Sequence, residues 1–405
     1  MKKYLQKLKE FWKLLTLFIL ILITFSYAMF QGGFVSWFLF YSFLPFALYG
    51  LGLSLYPLAD YSGERKLPQY EFSAGEAVKA ELQLERRFRF PLFYVILEES
   101  MEKSLSGVLK NSETKTILFP GFKTKLSYKY SIGSLPRGEH HIKGIRLKTG
   151  DPLGLIEKEK MLPVQDKILV YPSYEELIYR PAENQFDQGM TATNERLSRD
   201  TSMSVGVREY QPGDRFSWIN WKATAKRNDF MTKEFEQRQS HDVMVAMDCA
   251  PEECFEAVVS FTASITRAIL RKGAQAGLLT VSSERVLFPT RGGEAQQKQL
   301  FYHLAKITAS SPVPFDQVLE GETFMGRQHQ AMMLVTSRLT QSLLDKAAYY
   351  SRRNGSMSIF LIKGKKDRPT QREIALKASA VSRGIRVTIV QDGRFAEAFS
   401  EVNSR

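Results

Sequence analysis

The residues best equipped for chemistry or recognition lie between Val207 and Glu236, VREYQPGDRFSWINWKATAKRNDFMTKEFE. Arg208, Tyr210, a Gly213-Asp214 turn, Lys222, Lys226 and two of the chain's four tryptophans, Trp218 and Trp221, crowd into this one stretch. Two readings of it stay open. In the structural one, Gly213 supplies a turn and Asp214 braces it, Ile219 and Trp221 alternate inward, and Arg208 and Lys226 pair with acids, locking two domains together. In the other, Tyr210, Asp214, Trp221, Lys222 and Lys226 form a recognition surface, since tryptophan and arginine dominate interface hot spots. Catalysis has thinner support. The five histidines, at positions 140, 141, 241, 303 and 329, show no metal-ligand spacing. His140 and His141 on a strand point to opposite faces. There is no Gly-x-Ser-x-Gly elbow, no His-Glu-x-x-His pair and no phosphate loop with its lysine. An Asp214–His241 acid–base pair carries no more than chance weight. Cys249 and Cys254 lack the spacing of a Cys-x-x-Cys zinc or redox site, and two small buried residues in a reducing compartment are expected.

A chain of 405 residues calls for two or three domains to position such groups. From Leu67 to Tyr171 short alternating or apolar segments recur, separated by Pro120-Gly121, Pro136-Arg-Gly138 and Gly150-Asp-Pro152. That pattern predicts an all-β sandwich of immunoglobulin-like size over 61–171, with roughly seven strands. Residues 172–242 form a junction segment that holds the motif. From Val243 onward, apolar strands alternate with amphipathic helices, and a doubly wound, parallel α/β domain is expected over 243–405. Pro251-Glu252-Glu253 reads as the opening of its first helix.

The first 60 residues stand apart. Five lysines and one glutamate lie in Met1–Lys13, and no charge at all occurs from Leu14 to Ala59. Gln31-Gly32-Gly33 splits this run into two parts, each close to the ~20 residues needed to cross a hydrocarbon core. A two-helix transmembrane hairpin over 1–60 is expected, with Pro45 and Gly50 to Gly52 tolerated in its second span. Lys2, Lys3, Lys7, Lys9 and Lys13 flank one end and Arg65-Lys66 the other, so the positive-inside rule puts both termini and the bulk of the chain in the cytoplasm. The net charge of +13 divides as +3, +5 and +5 among residues 1–60, 61–171 and 172–405, with acids interleaved throughout. A diffuse surplus favours an anionic membrane leaflet over nucleic acid.

The run Arg208-Glu-Tyr210-Gln-Pro-Gly213-Asp214, followed by Ile219-Asn-Trp221-Lys-Ala-Thr-Ala225-Lys226, resembles the signature of the domain-of-unknown-function-58 family. Its membrane-anchored, YeaD-type bacterial members match the layout of the whole chain, including Arg137-Gly138 and Asp151-Pro-Leu-Gly154-Leu in the β-rich part. Ser217 stands where the family generally has arginine and Asn220 where it often has histidine. Chemistry that relatives run through either position would have no counterpart here. The resemblance implies a C-terminal domain similar to von Willebrand factor A domains, association with MoxR-type AAA+ ATPases, and no established catalytic activity. Such domains usually hold a divalent cation on an Asp-x-Ser-x-Ser loop. The matching loop reads Asp248-Cys249-Ala250-Pro251-Glu252, and the later strand ends in Thr336-Ser337-Arg338. Asp248 is the only clear remnant, so no metal and no cofactor are expected.

These features point to a membrane-anchored cytoplasmic adaptor without catalytic residues of its own. Its expected partners are the lipid bilayer and a MoxR-type ATPase, and the process it serves is cell-envelope assembly or remodelling. Two alternatives remain: a membrane-face enzyme using Asp214 or Asp248, and a polyanion-binding protein.

Overall fold

The computed structural model describes residues 2–101, 115–180, 204–212, 214, 216–235, 242–320, 331–354 and 356–403. His241, His329 and Gly213 fall outside them. The chain divides into two compact units, residues 1–173 with 301–307, and residues 174–300 with 308–405.

The first unit begins with two helices, α1 (Lys2–Gln31) and α2 (Phe34–Leu55), in which Trp12–Gln31 and Phe34–Leu55 are long and apolar enough to cross a membrane. Gly32 and Gly33 make the reversal between them at φ 60° and 90°, a backbone region that side chains disfavour. Polar groups inside the helices are satisfied locally: the hydroxyls of Thr16, Thr24 and Ser36 donate to carbonyls four residues earlier.

Nine strands follow among the described residues: β1 (Ser62–Lys66), β2 (Glu71–Ser73), β3 (Val78–Glu85), β4 (Val95–Met101), β5 (Lys115–Leu118), β6 (Lys125–Ile132), β7 (Gly138–Gly150), β8 (Glu157–Leu162) and β9 (Asp166–Tyr171). They form a three-stranded sheet, β1-β3-β6, and a six-stranded one, β2-β9-β7-β4-β5 with β8 on β7. The count exceeds the roughly seven read from periodicity because β1, β2 and β8 are short or charged and carry no apolar run. Strand β3 shows the expected alternation: Val78, Ala80, Leu82 and Leu84 are buried, while Lys79 and Glu85 face solvent. Leu82 and Leu84 from one sheet share a core with Leu97, Ile145 and Leu147 from the other, and Leu17, Ala47 and Leu53 of the helices belong to the same cluster.

The helices are therefore built into the β-rich core. A Cβ on Gly50 would stand 3.3 Å from Leu17 Cδ2 and 3.6 Å from Ile156 Cδ1, and one on Gly52 would stand 3.0 Å from the Phe90 ring. These glycines serve close approach. The charge flanking α2 also differs from expectation. Arg65 is buried, donating to Glu99 (3.0 Å) and Asp166 (2.5 Å), because β1 carries it into the sandwich. Instead Lys158 donates to the carbonyls at the end of α2, Ser54 (2.5 Å) and Tyr56 (2.7 Å), and Lys160 to that of Ala59 (2.9 Å).

The second unit holds a two-stranded ribbon, β10 (Ser204–Glu209) and β11 (Met231–Phe235), with a short helix α3 (Trp221–Arg227) between them. Then comes a mixed α/β region. Its strands are β12 (Val243–Met247), β13 (Ala276–Val281), β14 (Arg285–Arg291), β15 (Ala331–Thr336), β16 (Met357–Lys363) and β17 (Arg386–Gln391). Its helices are α4 (Phe255–Arg271), α5 (Glu294–Lys306, of which the part up to Leu300 belongs to this unit), α6 (Phe315–Glu320), α7 (Gln341–Asn354) and α8 (Gln371–Val381). The sheet order is β14-β13-β12-β15-β16-β17, parallel except for β14, which returns antiparallel on β13 as a directly connected hairpin. Both faces are covered. Ala246, Leu334 and Ile359 pack with Leu319, Leu344 and Leu376 on one side, and Phe360 meets Phe261 of α4 at 5.1 Å on the other.

Helix α4 starts at Phe255, later than the Pro251-Glu252-Glu253 reading, because those residues form a turn that ends at Cys254 as N-cap. Cys254 is consequently half-buried, whereas Cys249 is fully buried.

Candidate functional site

The signature segment folds as one small module within the second unit. In the β10–β11 ribbon Arg208 faces Thr232 and Glu209 faces Met231. Beyond it the Tyr210 N–H donates to the Phe230 carbonyl at 2.8 Å. The chain then turns at Gln211–Asp214, where the Asp214 N–H donates to the Gln211 carbonyl at 3.0 Å. The Asp214 carboxylate closes the same turn from the side-chain direction. Its Oδ2 accepts from the Gln211 N–H (3.0 Å) and its Oδ1 from Arg208 Nη2 (2.7 Å). The Arg208 hydrogen bond, aided by that of Gln211, holds this carboxyl below the usual aspartate range. It is thus a fixed anion, and a weak base at neutral pH.

Past a 3-10 turn at Phe216–Trp218, Ile219 bridges to Thr232 and is buried, as its spacing suggested. Asn220 is the N-cap of α3: its Oδ1 accepts from the Ala223 N–H at 3.2 Å, which satisfies one of the helix's open donors. The Thr224 hydroxyl accepts from the Met231 N–H at 3.0 Å and ties the helix to β11. Asn228 ends the helix at φ 58°.

The cap reverses one expectation. Alternation along a strand would send Trp221 inward with Ile219, but α3 begins at Trp221 and turns it out, leaving it 65% exposed. Lys226, expected to pair with an acid, is exposed on the last turn of α3 and makes no ion pair among the described residues. Lys222 is exposed as well. Phe216 (77%) and Phe230 (58%) are equally open, with Tyr210 between them, its ring centroid 6.4 Å from each. Neither phenylalanine was singled out from the sequence, because apolar rings in an irregular stretch read as core. The module displays three open rings and a basic helix end on a braced scaffold. Among the described residues it holds no paired acid and base.

At the carboxyl edge of the six-stranded sheet, Asp248 ends β12 in a buried position. Its Oδ1 accepts from the Ala250 N–H (3.0 Å) and its Oδ2 from the Thr336 hydroxyl (2.7 Å). Burial pushes this carboxyl up, against the lowering effect of those two bonds. Both oxygens are spent on bracing the loop. Ala250 contributes only its backbone, and among the described residues no three His, Cys, Asp or Glu side chains converge as a metal site. The donor set does not fit a hard divalent cation, which needs about six oxygens. His140 and His141 point opposite ways, His140 buried with Nε2 at 2.7 Å from the Pro136 carbonyl and His141 exposed.

Residues 206–401 match the family described as "Protein of unknown function DUF58". Over 396 residues the chain is 37% identical to the uncharacterized protein YeaD of Bacillus subtilis (strain 168), covering 97% of this chain and 99% of that one. Among solved structures, a CARDB domain from Pyrococcus furiosus aligns at 12% identity over 27% of this chain and 92% of its own, with a TM-score of 0.21. Spo0M, a sporulation control protein from Bacillus subtilis, aligns at 14% identity over 27% of this chain and 49% of its own, with a TM-score of 0.16. Scores this low carry no argument about fold.

Proposed function

Since the chain belongs to the family of proteins of unknown function DUF58, in its YeaD type, we propose that it is a membrane-anchored cytoplasmic adaptor that docks a MoxR-type AAA+ ATPase. The process it serves is assembly or remodelling of cell-envelope components. In this reading α1 and α2 cross the bilayer as a hairpin. The lysines at the start of α1, Lys2 to Lys13, and the basic groups after α2 keep both ends on the cytoplasmic side. The β-rich region acts as an immunoglobulin-like spacer. The six-stranded sheet, with its antiparallel edge strand, acts as a von Willebrand factor A-like domain that has lost its cation.

The observation that carries the proposal is the open aromatic module. Phe216, Trp221 and Phe230 are each more than half exposed on a scaffold held by the Arg208–Asp214 bridge and the Asn220 cap. Rings left open on a rigid support match the anchors that supply most of the binding energy at protein interfaces. The test is a crosslinking pull-down from detergent extract with the full-length chain, followed by mass spectrometry. An AAA+ ATPase is expected among the captured proteins, with capture reduced at least tenfold by Phe216→Ser plus Trp221→Ala, equivalent to ~1.4 kcal/mol or more. Failure of the full-length chain to enrich any such ATPase would count against the adaptor role.

A further inference from the structure

We propose that the β-sandwich carries a lipid-binding tip of its own: the β3–β4 and β5–β6 loops lie in the near headgroup layer of the bilayer that α1 and α2 cross. This rests on the membrane-anchor reading and extends it from the helices to the folded domain.

The two loops are welded together. Leu92 and Gly121 exchange backbone hydrogen bonds at 3.1 and 3.0 Å. Beneath them Arg86 is buried, its guanidinium donating to the carbonyls of Phe90 (2.7 Å), Gly121 (2.6 Å) and Lys123 (2.7 Å). They are also clamped to the end of α2. The Asp60 carboxylate, just past the helix, accepts from the Arg87 and Phe88 N–H groups, both at 2.7 Å. The Tyr49 hydroxyl on α2 accepts from the Phe93 N–H at 3.3 Å, and its ring meets that of Phe93 at 4.6 Å. Phe90 lies against Tyr49 and Tyr56 at 5.5 and 5.3 Å.

What this clamped tip displays is apolar. Phe88, Phe93, Phe119 and Phe122 are 55, 53, 78 and 67% exposed. Arg87, Arg89 and Lys123 are exposed beside them. Rings with basic neighbours are the composition of a membrane–water interface, where the ring enters the acyl boundary and the cation meets anionic headgroups.

Helix length identifies lipid as the occupant. From the reversal to the level of the tip, Phe34 to Tyr49, the rise is about 22 Å, and from Gln31 back to Leu17 it is about 21 Å. The hydrocarbon core is ~30 Å thick, and tilt shortens the vertical reach further. A hairpin whose reversal reaches towards the far boundary therefore brings the groups packed at Tyr49, Gly50 and Leu17 down to the near one, where the loops meet the headgroups. The Asp151–Ile156 turn, whose Ile156 reaches Gly50 and Leu17 and whose Leu153 is 46% exposed, is drawn in with the loops.

The experiment places single nitroxide labels on the full-length chain, with Cys249→Ala and Cys254→Ser as background, in vesicles of phosphatidylethanolamine and phosphatidylglycerol. Labels at Phe119→Cys and Phe122→Cys are compared with Phe38→Cys in mid-α2 and with Lys79→Cys at the opposite end of β3. The proposal expects the ratio of oxygen to nickel-chelate accessibility at 119 and 122 to be severalfold above that at 79, in the direction of 38. If 38 is in lipid while 119 and 122 are as wet as 79, the tip is not a lipid site and the anchor stands. If 38 is itself wet, the anchor fails and the tip falls with it.

Discussion

Asp214 and Asp248 are both carboxylates at turns, yet their surroundings push them in opposite directions. Arg208 draws Asp214 down, while burial raises Asp248. A carboxyl raised in the folded state favours folding below its unfolded value of about 3.9, and that contribution is lost as pH climbs through the folded value. Wild-type protein should therefore lose local stability relative to Asp248→Asn as pH rises from ~4 towards 7. Trapping of the buried Cys249 thiol in a Cys254→Ser background reads this out, as the ratio of variant to parent rates at each pH. A ratio that does not change with pH would assign Asp248 an ordinary titration. The Arg65 cluster makes a larger prediction. Its guanidinium is fully buried between Glu99 and Asp166, and Tyr130 donates to Glu99 in the same cluster, its hydroxyl pushed up by burial and then by that charge. Arg65→Met strands two carboxylates and should cost about 3–5 kcal/mol in urea unfolding of the detergent-solubilised chain. Arg65→Lys should recover only part of it, since an ammonium cannot fork to both acids. At this scale Asp214 as a turn brace and Arg208 as the partner of an acid, although not matched to each other, were legible because the turn is local in sequence. The role of Arg65 was not, since its partners come from β4 and β9, 34 and 101 residues away.

Elements were legible in proportion to how completely burial dictated their sequence. Strands β12, β15 and β16 are near-continuous apolar runs because both faces of the sheet are covered, and such runs carried the α/β reading of residues 243–405. Strands β1 and β8 carry runs of consecutive charged residues, Glu64 to Lys66 and Glu157 to Lys160, and left no apolar signal. Trp221 was misplaced because alternation was assumed where Asn220 starts a helix. Two substitutions check that correction. Asn220→Ala should cost ~1 kcal/mol through loss of the cap. Trp221→Ala, removing an exposed ring, should move stability by less than ~0.5 kcal/mol. A collapse of the melting temperature on Trp221→Ala would instead restore the inward packing read from alternation. The fusion of helices and sandwich is testable in the same way. Leu17 is buried in a core lined by Leu84, Leu92 and Ile145, so Leu17→Ala should lower the stability of the β-rich region by ~2–5 kcal/mol. A free lipid-facing leucine would tolerate the change.

For the whole molecule, the uncharged run of the first 60 residues carries more of the functional argument than any single side chain. It yields two helices, and their ends share a core with the β-rich region, so the segment that would lie in lipid also fixes how that region is held against it. In the proposed topology this hairpin spans the membrane with the folded units inside the cell. Labelling with a membrane-impermeant maleimide tests it most directly, comparing Gly33→Cys at the reversal with Lys79→Cys on β3, each in a chain lacking the native cysteines. Position 33 is expected to react in intact cells stripped of their wall and position 79 only in inverted vesicles. Reaction of position 79 from outside, or a chain that stays dispersed without detergent, would contradict that topology.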